Sequence, residues 1–547
     1  MIRTSTGHGR TRYIAMAFIA AWSLPLLASG TGLELTGPAG SARPEKGPPI
    51  EGLMVQLIAQ SSGIRTTVFT DPLGRFSFPR LVPGTYTLRV PRPLEFLPYV
   101  REDIQIRGAD RLAEILLTRR NDSEFLPPLP EVISQLTDAE LLYNLPGSGY
   151  EKKIFSNNCG NGCHTYQWAF RARFDQRSWR LIVDRMLNFT GRLLIARRAP
   201  GTEISSATIN TIADWLARVR GIDATDAPLK AFARPQGPAA HVVITEYQVP
   251  HLDARIHDVT GDAEGNIWYT SNRNPILGKL NPRTGQVTEY PVPRTAGKPS
   301  GQHWIEQAKD GAIWYSETWT GNLVRFDPKS GVFRTMHTGL QGNMALAPDG
   351  FLWRTWQGAI HKFDPQTGKS VAQYPLKKTC STYGNFISAD GRYFFGGGGY
   401  DPVCTSFDGI VFLDIKTGEV IEADSPSGVS FASRGSFDPA GNVWAGGRGG
   451  VLVKFDRSTH LVSEYPPPTP YTTFYETRAD KNGEVWAGEM RAGRIARFTP
   501  QTYRWIEYML PEPYAFDWQT WIDNSTTPVT VWYGDHYGYI VRLQPRD

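Results

Sequence analysis

The stretch His303-Trp304-Ile305-Glu306-Gln307-Ala308-Lys309-Asp310-Gly311-Ala312-Ile313-Trp314-Tyr315-Ser316-Glu317 decides the fold, because it recurs along the chain. An apolar run ends in an Asp-Gly turn, and a second apolar run carrying an aromatic follows. The aromatic anchors are Trp268, Trp314, Trp353, Phe394, Trp444, Trp486 and Trp532. They lie roughly 39–50 residues apart, the period of a four-stranded propeller blade. Seven anchors predict a seven-bladed β-propeller over 242–547. The last copy stops after Tyr539-Ile540-Val541-Arg542-Leu543 without an outer strand, and a matching strand, Val243-Ile244-Thr245-Glu246-Tyr247-Gln248-Val249-Pro250, precedes the first. Pairing the two closes the ring and removes a free edge.

The segment from Pro291 to Pro328, "PVPRTAGKPSGQHWIEQAKDGAIWYSETWTGNLVRFDP", resembles a blade of the virginiamycin B lyase (streptogramin lyase) family, whose repeat reads P-H-G-I-T, P-D-G, W-F-T-E, I-G-R. Register places the starts of inner strands and the ends of the next strands around one mouth of the channel. The starts read His257, His303, Gly342, Tyr383, Ser433 with Arg434, Tyr475 and Asp523. The ends read Asn272, Glu317, Trp356, Gly397, Arg448, Glu489, and Asp535 with His536. The family opens a cyclic lactone by elimination with a His base and a Mg²⁺ held partly by Glu. The resemblance therefore implies His303 and His257 as catalytic groups, Glu317 as both catalytic group and metal ligand, and Glu489 and Asp535 as further ligands of Mg. It departs from the family at Gln302, where the repeat has proline, and at Asn272, where it has Glu. Polar rim residues around a channel, binding a small molecule or nothing, remain the alternative.

Upstream, three segments differ in composition. Arg3, Arg10 and Arg12 precede an apolar run and small residues Ala28-Ser29-Gly30, the layout of a signal peptide over 1–30, with an uncleaved anchor as the alternative. Export predicts a periplasmic or secreted protein in an oxidising compartment. Residues 31–120 read as a β-sandwich, with turns at Asp71-Pro72-Leu73-Gly74 and Pro83-Gly84. "TDPLGRFSFPRLVPGTYTLRV" resembles the carboxypeptidase regulatory-like domain, a transthyretin-like fold. That likeness leaves glycan contact open beside a plain spacer role. Pro127-Pro128-Leu129-Pro130 marks a linker over 121–135.

Residues 136–225 turn helical and carry Cys159-Gly160-Asn161-Gly162-Cys163-His164. Haem c attachment uses two thiols and the His after the second, normally as C-x-x-C-H. Here one more residue intervenes, and the glycines allow the loop to bend. A local disulfide or a metal site are the other readings of these cysteines. The order Cys-His, then Trp179, Val183, Met186, then Ile212 and Leu216 resembles small bacterial cytochrome c domains, so haem c is expected on Cys159 and Cys163. His164 is the expected axial ligand and Met186 the leading sixth ligand, against a plain core role. Cys380 and Cys404 flank a Gly-rich insertion and are expected to pair.

At 547 residues, 40% hydrophobic and 12% aromatic, the chain is not a disordered protein. A net charge of +5 without a basic block does not suggest nucleic-acid binding. The first functional expectation is an electron-transfer or oxidoreductase protein with a redox partner and a small-molecule ligand at the propeller mouth. A Mg-dependent lyase and a non-catalytic scaffold stand as alternatives.

Overall fold

The computed structural model describes residues 33–121, 124–159, 165–193, 205–251, 253–299, 301–339, 342–398, 407–428 and 432–547. The expected signal peptide therefore lies outside the described residues. So do Cys163, His164 and Cys404. No helix among the described residues is long and apolar enough to cross a membrane.

The chain is mainly β. Its N-terminal module is sandwich-like: Ala39–Pro44 lies between Arg75–Ser77 and Ile115–Leu117, opposite a sheet ordered Arg65–Phe69, Met54–Ala59, Gly84–Arg89, Val100–Ile106. Alternation buries one face of these strands, and Val55, Leu57, Phe76, Phe78, Leu88 and Ile115 fill the space between the sheets. Gly74 has φ +73° in the Asp71–Gly74 turn, and an added Cβ there would meet the Ala42 carbonyl at 2.5 Å. Only glycine fits.

Among the described residues six helices follow, from Pro130–Ile133 to Ser206–Val219. Asp138–Asn144 opens with a full capping box between Thr137 and Glu140, and Ser205 caps Ser206–Val219. Their apolar faces bury Phe155, Tyr166, Trp179, Val183, Trp215 and Leu216 in one core.

From residue 242 onward the strands form small four-stranded antiparallel sheets of the kind a propeller is built from. Gln302–Gln307, Ile313–Glu317, Asn322–Asp327 and Val332–His337 make one such sheet in simple up-and-down order. The final sheet, Asp517–Asp523, Thr530–Asp535 and Tyr539–Pro545, takes Val242–Gln248 as its outer strand, with Tyr539 opposite Gln248. Asp517–Asp523 also lies against Ile256–Gly261 of the first sheet.

One pairing could not be anticipated. Arg65–Phe69 of the sandwich adds to the outer side of Val242–Gln248, placing Arg65 opposite Glu246. One sheet of the sandwich and the final sheet are thus one continuous eight-stranded sheet. The seam is polar: Gln56 donates to Glu246 at 2.9 Å, and Arg65 and Arg89 both reach Glu512 at 3.0 Å.

Candidate functional site

Five inner strands share a defect at their start. The ladder register slips beside His257–Asp258, Trp304, Ser433–Arg434, Tyr475–Glu476 and Trp518–Gln519. Trp304 takes φ +46° at its bulge, a left-handed value uncommon for a bulky residue. Bulges re-aim side chains. Here they turn His257, His303, Tyr475 and Trp518 toward one another.

The result is a buried cluster. The rings of His257 and His303 lie 4.1 Å apart, and Trp518 stacks on His257 at 4.9 Å. Tyr475 Oη stands 3.4 Å from Nε2 of both histidines, and Tyr383 Oη 3.2 Å from His303 Nε2. The two tyrosine hydroxyls touch. His257 Nδ1 meets Asp258 Oδ1 at 2.7 Å, which leaves Nε2 facing the tyrosines. Arg434 grips Asp258 with both terminal nitrogens at 2.8 and 3.0 Å, and its Nε lies 2.9 Å from Glu476. Arg434 and Asp258 are each 0% exposed.

Charge states follow from these surroundings. Burial pushes the His303 imidazole well below its usual pKa, and His257 adds to that, so His303 is neutral. Burial works to raise Asp258, but Arg434 and then His257 overcome it and hold the carboxyl well below the usual range. Burial pushes the Tyr475 phenol well up, against the pull of Arg434 and Arg448.

The carboxylates expected to complete a Mg site do not join this cluster. Among the described residues, His257, Asp258 and His303 are the one group of three or more His, Cys, Asp or Glu whose ligand atoms lie within 4.8 Å of one another. Alternation explains Glu317: His303 stands opposite Ser316, so Glu317, opposite Gln302, points to the other face. There it accepts from Asn322 at 2.7 Å and Thr320 at 2.6 Å. Glu489 is buried beside Glu507 and Asp517, and burial first, then Glu507, pushes its pKa well up. The last inner strand also needs a correction. Asp523 is the end of Asp517–Asp523, and Asp517 is its start, directly opposite Asp535.

Asp535 is 2% exposed, and burial raises its pKa to about 7. A carboxyl raised in the folded state favours folding below its unfolded pKa and loses that advantage as pH rises toward the folded value. Asp535→Asn should therefore gain stability relative to wild type between about pH 4 and 7, reaching on the order of 2–4 kcal/mol at pH 8. Urea unfolding at pH 4.5 and 8 checks it, and an equal effect at both pH values would contradict it.

A second feature lies in the helical module. An apolar cavity of about 340 Å³ is walled by Phe155, Cys159, Trp168, Trp179, Met186 and Leu216, with Tyr166 among its other lining residues. Trp168 is 75% and Met186 40% exposed, so large apolar side chains stand open at its rim. Arg491, just beyond Val485–Met490, joins this module to the strand-rich face. It pairs with Asp138 at 2.5 Å, donates to the Cys159 carbonyl at 3.3 Å, and stacks over Tyr166 and Phe516 at 4.5 and 4.8 Å. Phe516 then meets His536 at 5.6 Å, and Trp518 Nε1 donates to His536 Nδ1 at 3.2 Å. Trp518 is the ring stacked on His257. Cavity and His/Tyr cluster are thus joined through side chains in contact. Neither Trp518 nor Asp258 stands out in the sequence; the two-residue step at each bulge is their only signal.

Residues 39–117 match the carboxypeptidase regulatory-like domain. No curated protein matches the chain in sequence. Virginiamycin B lyase from Staphylococcus aureus is similar over 55% of this chain and 99% of its own, at 18% identity and a TM-score of 0.47. A streptogramin B lyase structure is similar over 56% and 99%, at 19% identity and 0.45. A chain of the mitotic checkpoint complex is similar over 60% and 97%, at 12% identity and 0.45.

Proposed function

We propose that this chain is an exported electron-transfer protein, in which a haem c domain docks on the mouth of a seven-bladed propeller that binds a small molecule. The observation that carries the reading is the apolar cavity with Cys159 and Met186 in its wall. Its lining suits a macrocycle, and the residue that opens the attachment motif borders it. Cys159 and Cys163 would hold the group through thioethers, with His164 and Met186 on its iron. When bound, the haem supplies one-electron exchange. The chain's own residues do the rest: Trp179, Val183 and Leu216 keep water from the cavity, and Arg491 fixes the module against Phe516. The seven-bladed ring is supported by the sharing of Val242–Gln248 with the last sheet.

Lactone opening by His303 with Mg fits less well, because Glu317 spends its carboxylate on Asn322 and Thr320. The Cys380–Cys404 bridge stays part of the proposal as a clamp on the Gly-rich segment they flank. Expression with haem-maturation machinery tests the function. A low-spin haem spectrum that loses its sulfur-to-iron band in Met186→Ala supports it, and a colourless matured protein overturns it.

A further inference from the structure

Arg354 is a cation that the fold leaves unmatched. It sits on Leu352–Trp356, one step past the last rung of the inner ladder, where Ala345 faces Trp353. The inner strand of this sheet has two residues, Ala345–Leu346, against six in Gln302–Gln307, so the ladder stops short of Arg354. Its Nε and Nη1 are buried and meet no acceptor among the described residues. Burial alone pushes its pKa down, to about 10, and no carboxylate offsets that. The group therefore stays charged at neutral pH. A buried guanidinium without a counter-charge is costly, and an anion relieves that cost.

The guanidinium is turned toward the His/Tyr cluster. Its charge helps to push the His303 imidazole down, whereas it leaves no mark on His361, directly across the ladder from Arg354. His303 supplies a second, independent observation: its Nδ1 is buried and also has no partner among the described residues. Tyr475 touches Tyr383, and Tyr383 Oη lies 3.2 Å from His303 Nε2. Passing the phenol hydrogens along that chain makes Nε2 an acceptor, so the neutral ring carries its hydrogen on Nδ1, as a donor. Ser316 Oγ donates to the carbonyls of His303 at 3.0 Å and Gly342 at 2.7 Å, which ties the starts of the two inner strands together. Gly342 puts no side chain there, and an added Cβ would meet nothing within 4 Å.

We propose that the propeller mouth takes a carboxylate, whose oxygens accept from Arg354 and from His303 Nδ1 in the room left beside Gly342. A guanidinium edge with one further N–H donor suits the two oxygens of a planar carboxylate. Asp258, the carboxylate that acts on His303, does not compete for these donors, because Arg434 and His257 hold it. Glu317 is turned to the other face. The inference rests on the reading of the mouth as a small-molecule site and not on the haem.

Full-length protein is titrated with sodium acetate, with acetamide as the neutral isostere and sodium chloride at equal ionic strength, by calorimetry and by melting temperature. One acetate per chain should bind saturably, with acetamide at least tenfold weaker and chloride giving no saturable effect. Arg354→Met should weaken acetate at least tenfold, the loss expected for a charged hydrogen bond. Without acetate the same variant should melt at or above wild type, since it removes an unmatched buried charge. A variant that melts well below wild type would show that the fold itself satisfies Arg354, and acetate bound equally by the variant would place the anion elsewhere; either overturns the proposal. Chloride as effective as acetate would mean an adventitious ion only. Acetamide as tight as acetate would leave the mouth a small-molecule site and sink the carboxylate, whereas no binding of either probe would count against both.

Discussion

Replacing Arg491 with alanine should cost about 3–5 kcal/mol, the usual penalty for removing one member of a buried ion pair. Arg491 is 3% exposed and its partner Asp138 2%. Asp138 accepts from the Tyr166 amide at 2.7 Å with its other oxygen, so it cannot turn to water when the guanidinium goes. The backbone at 491 is tied as well: its carbonyl accepts from the Ala139 amide at 2.8 Å. Side chain and main chain thus join the helical module to the propeller-type sheets at one residue. Arg491→Lys should rescue little, because an ammonium cannot reach Asp138 and the Cys159 carbonyl in the same fork. Denaturant unfolding should show the loss, and limited proteolysis should cut near the linker sooner. A change below about 1 kcal/mol would mean that the seam is held elsewhere.

Arg434→Ala should be comparably severe, about 3–5 kcal/mol, because it leaves buried Asp258 with only His257 and buried Glu476 with only Arg478. Its pH dependence has a definite sign. Asp258 has a depressed folded pKa, so its contribution is present above the unfolded aspartate value of about 3.9 and fades as pH falls through the folded value. The gap between wild type and Arg434→Ala should therefore be full at pH 7 and narrow below about pH 4. Arg434→Met combined with Asp258→Asn should recover part of the loss, since an unpaired charge is worse than none. A gap that stays constant from pH 7 to 3 would contradict the assignment.

Sequence periodicity reached the propeller-type sheets because every Asp-Gly turn and aromatic anchor repeats the same local physics. Register reasoning likewise places His257, His303, Tyr383 and Tyr475 at strand starts, and these four side chains meet. It fails at Glu317, where one step along a strand reverses the side chain's face. It fails again at the last inner strand, which has an aspartate at each end, Asp517 and Asp523. The pairing of Arg65–Phe69 with Val242–Gln248 joins segments about 180 residues apart, and local pattern carries no trace of it. Arg491 is equally silent in sequence: nothing around it distinguishes a buried clamp from a surface arginine.

The most direct test of the account is whether the matured chain keeps haem through denaturation. Thioether bonds survive a denaturing gel, whereas haem held only by ligation is lost. The account predicts one haem per full-length chain, retained in the gel, and absent from a Cys159→Ala/Cys163→Ala variant. A band that carries no haem after proper maturation, or haem that persists in the double variant, would contradict it.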